Sequence, residues 1–233
     1  MSELLGDVDC KDINFQPIGS IDKPFKGTLK GNSYKIRNVE INSSSEFVGV
    51  FGFGTSSRIE NIKFENVNII SNSSHVATLF GKCIDSEMIN ITITTNQKEK
   101  RNIIKGTSNS ASYISAISAF LKNSKINGAK IKNTIICKKK KFFFTIFFIF
   151  KKIVAPNYNY VGGICGAAFQ SELNDCYNVG VDDEEEIVLE GKRFVGGICG
   201  LIESSHFSKS GIIRGSIVSH SDSKNSDVFF FYF

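Results

Sequence analysis

The chain has 233 residues, 41% of them hydrophobic and 22% charged, with a formal net charge of +5. That balance is ordinary for a globular protein and excludes wholesale disorder. Six of the 28 Lys and Arg fall between Lys138 and Lys152; without them 22 basic residues face 23 acidic ones, which excludes the basic stripe of a nucleic-acid surface.

In chain order, residues 1–45 read as a leader and first coil. Within them "IRNVEI" places Ile36, Val39 and Ile41 around Asn38. Five stretches then begin with an aromatic residue or His and run into small apolar residues: "FVGVFG" from Phe47, "HVATLFG" from His75, "YISAISA" from Tyr113, "YVGGICG" from Tyr160 and "FVGGICG" from Phe194. In the last four, a Ser follows at a fixed distance (Ser86, Ser124, Ser171, Ser205), with Met88, Ile126, Leu173 or Phe207 two positions on. In the first copy Ser57 and Ile59 arrive one residue early. Beyond that point "IENIKFENVNI" alternates Ile62 with Phe64 and Val67 with Ile69, as strands with one buried face do. Asn61 and Asn66 fall between the strands, and Gly128 and Asn133 play that part in "INGAKIKNTII". Asn and Gly suit such corners because both tolerate left-handed backbone.

Apolar residues recurring at i+2 and i+5 exclude an amphipathic helix. Short strands, corner residues and a recurring unit predict an all-β fold, a parallel β-solenoid of irregular coils with loop insertions. Repeats occupy residues 46–137 and 156–220, and residues 221–233 read as a disordered or aberrant tail. Starts are separated by 28, 38, 47 and 34 residues.

The widest gap holds "CKKKKFFFTIFFIFKK", within an insertion at residues 138–155. Its apolar run, Phe142 to Phe150, is less than half a helical membrane span. As a strand it is an aggregation-prone window with Lys gatekeepers. Removing Lys138 to Lys152 would shorten the spacing from 47 to 32, close to its neighbours. Within Lys138 to Lys152 every residue except Thr145 can be encoded by A and T alone, so the segment reads as translated non-coding sequence.

The segments Gly162-Gly163-Ile164-Cys165-Gly166 and Gly196-Gly197-Ile198-Cys199-Gly200 resemble the GLUG repeat of surface-associated proteins. The leader is similar too: Phe15, Pro17, Ile18 and Gly19 match a turn, and Phe25, Gly27, Leu29 and Gly31 match the hairpin that follows it. The resemblance spans roughly residues 7 to 218; Ala77, Thr78, Ser115 and Ala116 depart from it where glycines are expected. It implies a right-handed parallel β-helix of the kind found in adhesins, an extracellular or cell-surface setting and no shared catalytic constellation. It also implies that the chain is a fragment of a longer surface protein. "MSELLGDVDC" itself has neither the basic nor the apolar part of a secretory signal.

Several residues invite chemistry. Cys165 and Cys199 occupy one repeat position and read as small core residues, with a disulfide or a shared metal as competing readings; Cys176 also falls inward. Asp182 to Glu186 is a straight acidic run without the glycine turn of a calcium loop, and reads as a solvated loop. Arg58, Glu60, Lys63 and Glu65 face outward; two carboxylates there could serve as acid and base on a glycan, but alternating charge more commonly marks a solvated face. His75 replaces an aromatic and reads as packing, while His206 and His220 have no nucleophile at a telling spacing. Asn42, Asn72 and Asn90 begin N-x-[ST] sequons.

The sequence thus predicts a non-catalytic repeat protein for surface display or adhesion. Its partners would be glycan or protein, with no nucleic acid and no membrane span. No catalytic, metal-binding or cofactor-binding residue is assigned, and no cofactor. A β-helical polysaccharide lyase or hydrolase is the alternative, and a protein associating with membranes through the Lys/Phe stretch is the second.

Overall fold

The computed structural model describes residues 1–95, 102–107, 112–132, 134–137, 151–155, 159–179, 187–191, 194–213, 215–219 and 228–229. Among them the regular structure is all β and the strands pair in parallel. They form a 14-stranded sheet, a seven-stranded sheet and a six-stranded sheet.

Each repeat contributes in the same order. A short strand such as Tyr113–Ser115 joins the six-stranded sheet. Ser118–Lys122 and Lys125–Lys132 join the large sheet, and Thr134–Cys137 joins the seven-stranded one. Successive repeats pair in register, so equivalent residues stack at the ~4.8 Å strand spacing. One inward column runs Leu29, Ile59, Met88, Ile126, Leu173, Phe207. A second runs Ile62, Ile91, Ala129, Cys176, and a third Ile36, Phe64, Ile93, Ile131, Asn178, Ile212. Most of these apolar side chains are fully buried, each worth about 1.5–3 kcal/mol against exposure.

The spacing of the columns has a local cause. Asn61, Asn90, Gly128 and Asp175 all hold positive φ, between 53° and 73°. A left-handed residue uses up one position of the alternation, so Ile59 and Ile62 both point inward although three apart. At Gly128 the missing Cβ also matters, since it would meet the Asn90 side-chain oxygen at 2.6 Å.

These observations correct the expected right-handed parallel β-helix or β-solenoid of irregular coils. The described residues instead form a curled parallel sheet with nine strands along its main path, plus two smaller parallel sheets. The corners are the reason. Ser56 and Asn61 bend the chain without ending the ladder, so Phe51–Glu65 is one strand of 15 residues. It pairs with Phe80–Ile84 at one end and Glu87–Thr94 at the other, merging what were expected as separate short faces.

The leader also differs from expectation. Phe25–Lys30 is not half of a hairpin: it pairs in parallel with Phe51–Glu65 on one side and with Ser2–Glu3 on the other. Of the Lys/Phe-rich stretch, residues 138–150 lie outside the described residues, as does Asn133. Lys151–Ala155 is a strand of the seven-stranded sheet, placed between Thr134–Cys137 and Ile187–Gly191.

Candidate functional site

The repeat Ser residues form a hydrogen-bonded column. The backbone N–H of Ser57 donates to Ser86 Oγ at 3.0 Å, that of Ser86 to Ser124 Oγ at 3.1 Å, and that of Ser124 to Ser171 Oγ at 3.1 Å. The N–H of Ser171 donates to Ser205 Oγ at 3.0 Å. Each of these hydroxyls donates in turn to the carbonyl two residues back, as Ser124 does to Lys122 at 2.7 Å. The column satisfies buried polar groups at a corner where no strand partner is available. Its chemistry is structural, since both capacities of each bridging hydroxyl are used.

Beside it lies the outer face of the large sheet, where the candidate acid and base residues fall. In register, Arg58, Glu87, Lys125 and Glu172 form one column of alternating charge, with His206 next in line. Arg58 bonds both Glu60, Nε to Oε2 at 2.8 Å, and Glu87. Lys30 lies 4.0 Å from Glu60, and Lys125 lies 3.0 Å from Glu172. Glu65 is buried, with only 4% of its surface exposed, and accepts from Lys35 at 3.2 Å. Glu60, Glu65, Glu87 and Glu172 are therefore each held by a cation. A shallow polar depression of about 680 Å³ follows this corner, lined by Ser56, Arg58, Asp85, Glu87, Asn123 and Lys125.

The repeat starts stack as a column of rings. Phe47 and His75 lie 5.0 Å apart, His75 and Tyr113 4.7 Å, Tyr113 and Tyr160 4.7 Å, and Tyr160 and Phe194 5.1 Å. Most of these rings cover one another's faces, which suits packing better than stacking against a sugar. His75 thus packs as the aromatic residues do. Desolvation, then the charge of Lys82, lowers its pKa from 6.5 to about 4. Lys82 itself sits 5.3 Å from the Phe47 ring centre and 5.4 Å from that of Phe120.

Cys165 and Cys199 are in-register neighbours, both buried and both free thiols. Cys176 is likewise buried and free, and burial pushes its thiol up to about 12. Among the described residues no cluster of three or more His, Cys, Asp or Glu could hold a metal ion. No helix of the described residues is long and apolar enough to cross a membrane.

The remaining candidates are scattered. His206 is exposed at the end of the charged column. Asn42 and Asn72 are exposed, whereas Asn90 spends its amide on a 2.8 Å bond to Asn61 Oδ1 within a corner column. Asp182 to Glu186 and His220 lie outside the described residues. What sequence reasoning missed is the pairing of the carboxylates: Glu87, Glu172 and Lys30 come from other repeats, and only the register brings them together. The fixed Ser-to-apolar spacing was the signal that could have supplied that register.

No protein-family model matches the sequence, and no curated protein matches it. Among solved structures, the chain is similar to a Bacteroides ovatus protein proposed to be an immunoglobulin A1 protease. The identity is 15%, covering 96% of this chain and 72% of that one, with a TM-score of 0.48. A likeness this distant transfers no activity.

Proposed function

We propose that this chain is a non-catalytic repeat protein that displays an extended surface and binds a glycan or protein partner through it. The observation that carries the reading is the neutralised outer face: Glu60, Glu65, Glu87 and Glu172 each sit against a Lys or Arg. A glycan-cleaving site needs one carboxyl able to give a proton and a second free to act as base or nucleophile. Here the carboxylate oxygens are already engaged by Lys30, Lys35, Arg58 and Lys125 on the same face, so no such pair among them stands free to flank a glycosidic bond. The corner depression presents Ser56, Asp85 and Asn123 beside these ion pairs at the strand repeat, and an extended partner would exchange its own hydrogen bonds for those the face now makes within itself. The resemblance to GLUG-repeat surface proteins supports the same setting.

The test is to incubate the purified chain with a panel of immobilised polysaccharides and extracellular-matrix proteins, reading retention and soluble products together. Retention without release of oligosaccharides, weakened in Arg58→Ala/Lys125→Ala, is the expected result. Release of sugar fragments that disappears in Glu60→Gln or Glu87→Gln would replace this reading with the enzymatic one.

A further inference from the structure

We propose that Cys165 and Cys199 form a redox pair, which a small-molecule disulfide oxidant converts into a bond tying the edge strand Cys199–Glu203 to its neighbour Cys165–Phe169. The two strands pair in parallel with Cys165 directly opposite Cys199. A parallel ladder spaces such Cα atoms by ~4.8 Å, inside the range of about 4.4–6.8 Å that disulfides span. Both side chains take the same orientation, each Sγ donating to the carbonyl two residues on at 3.0 Å: Cys165 to Ala167 and Cys199 to Leu201. Cβ atoms on parallel strands must converge by about an ångström to bridge, from the ~4.8 Å strand spacing to the roughly 3.8 Å typical of a disulfide. Gly162-Gly163 and Gly196-Gly197 precede the two cysteines in sequence. Among the described residues Cys199–Glu203 pairs on one side only.

Burial governs the order of events. Cys165 is 0% exposed and Cys199 3%, so neither meets an oxidant until the edge strand opens. Edges and ends open at lower free energy than the centre of a sheet. Once the strand is open, Cys199 loses its proton to water and its thiolate attacks one sulfur of the oxidant. One small thiolate leaves and a mixed disulfide forms. Cys165, deprotonated in turn, attacks the Cys199 sulfur and expels the second small thiolate, which takes up a proton. Two protein thiols are oxidised and one small disulfide is reduced to two thiols. When the strand closes again, its fluctuation is restrained by a covalent link absent from the reduced chain.

The experiment incubates the folded 233-residue chain with oxidised glutathione, then maps disulfides by differential alkylation and mass spectrometry. Amide exchange is followed over Cys199–Glu203. The expected product is a cross-linked pair of peptides carrying Cys165 and Cys199, with exchange in that strand slowed at least about tenfold. Cys83→Ser should keep the link, and Cys165→Ser or Cys199→Ser should lose it. The proposal is overturned if the folded wild-type chain keeps both thiols in a buffer that oxidises the unfolded chain. Pairing of Cys165 with Cys83, or of Cys199 with any other cysteine, overturns it equally.

Discussion

The large sheet and the seven-stranded sheet treat the same stretch of chain differently. In the large sheet Lys125–Lys132 pairs directly with Glu172–Val179, and in the six-stranded sheet Tyr113–Ser115 pairs directly with Tyr160–Gly162. In the seven-stranded sheet the extra strand Lys151–Ala155 stands between Thr134–Cys137 and Ile187–Gly191. The irregular 47-residue repeat is thus absorbed in one sheet, while the other two keep step. Register in the large sheet is set by elements on both sides of the gap, the inward columns and the Ser corner. Those elements specify the fold, and Lys151–Ala155 is an additional strand in the seven-stranded sheet alone.

If the inward columns hold the register, removing one of their largest members should have the largest effect. Phe64 is fully buried in the column of Ile36, Ile93 and Ile131, and Phe64→Ala is expected to cost about 3–5 kcal/mol in urea unfolding. A loss below about 1 kcal/mol would mean that the column is not close-packed.

The aromatic column of the six-stranded sheet makes a comparable contribution that depends on pH. His75 has its pKa lowered from 6.5 to about 4, chiefly by burial. Between those values the unfolded chain binds the proton more readily than the folded one. Stability is therefore complete above pH 6.5 and falls as the pH drops toward about 4. The loss is about 1.4 kcal/mol per pH unit, on the order of 3 kcal/mol in total. His75→Phe should flatten this part of a stability–pH profile; an unchanged slope would assign the effect elsewhere.

The Ser corner should matter less than either. Ser124→Ala leaves the Ser86 N–H and the Lys122 carbonyl without their partner, a cost of about 1–3 kcal/mol by thermal or urea unfolding. The outer face should matter least. Lys125 and Glu172 are about half exposed, so Glu172→Gln is expected to change stability by about 0–1 kcal/mol, and less at high salt.

Much of this arrangement was legible in the residues. The Ser-x-apolar spacing picked out the same residues that stack in the Ser column and in the inward column from Ile59 to Phe207. The aromatic or His at each repeat start located the ring column, His75 included. The connection between faces was not legible. Ser56 and Asn61 have the composition of strand terminators, yet here they bend a strand that continues, because parallel partners on both sides carry the ladder through the bend. The leader was misread for a related reason. A turn followed by Phe25 and Leu29 looks local, but its hydrogen-bonding partner is the distant Phe51–Glu65. At the candidate site, Glu60 could be placed on the outer face from alternation alone, whereas Glu65, expected outward as well, is buried. That Lys30 and Lys35 would meet them depends on which residues stack, which no single repeat encodes.

The central claim is that repeats on either side of the Lys/Phe-rich stretch are direct neighbours in the large sheet. Inter-strand nuclear Overhauser contacts in the deuterated, methyl-labelled protein test it most directly. A parallel pattern linking Ile126 to Leu173, Ala129 to Cys176 and Lys130 to Tyr177 is the predicted result. Its absence, or contacts from Lys125–Lys132 to Lys151–Ala155 in place of Glu172–Val179, would contradict the account.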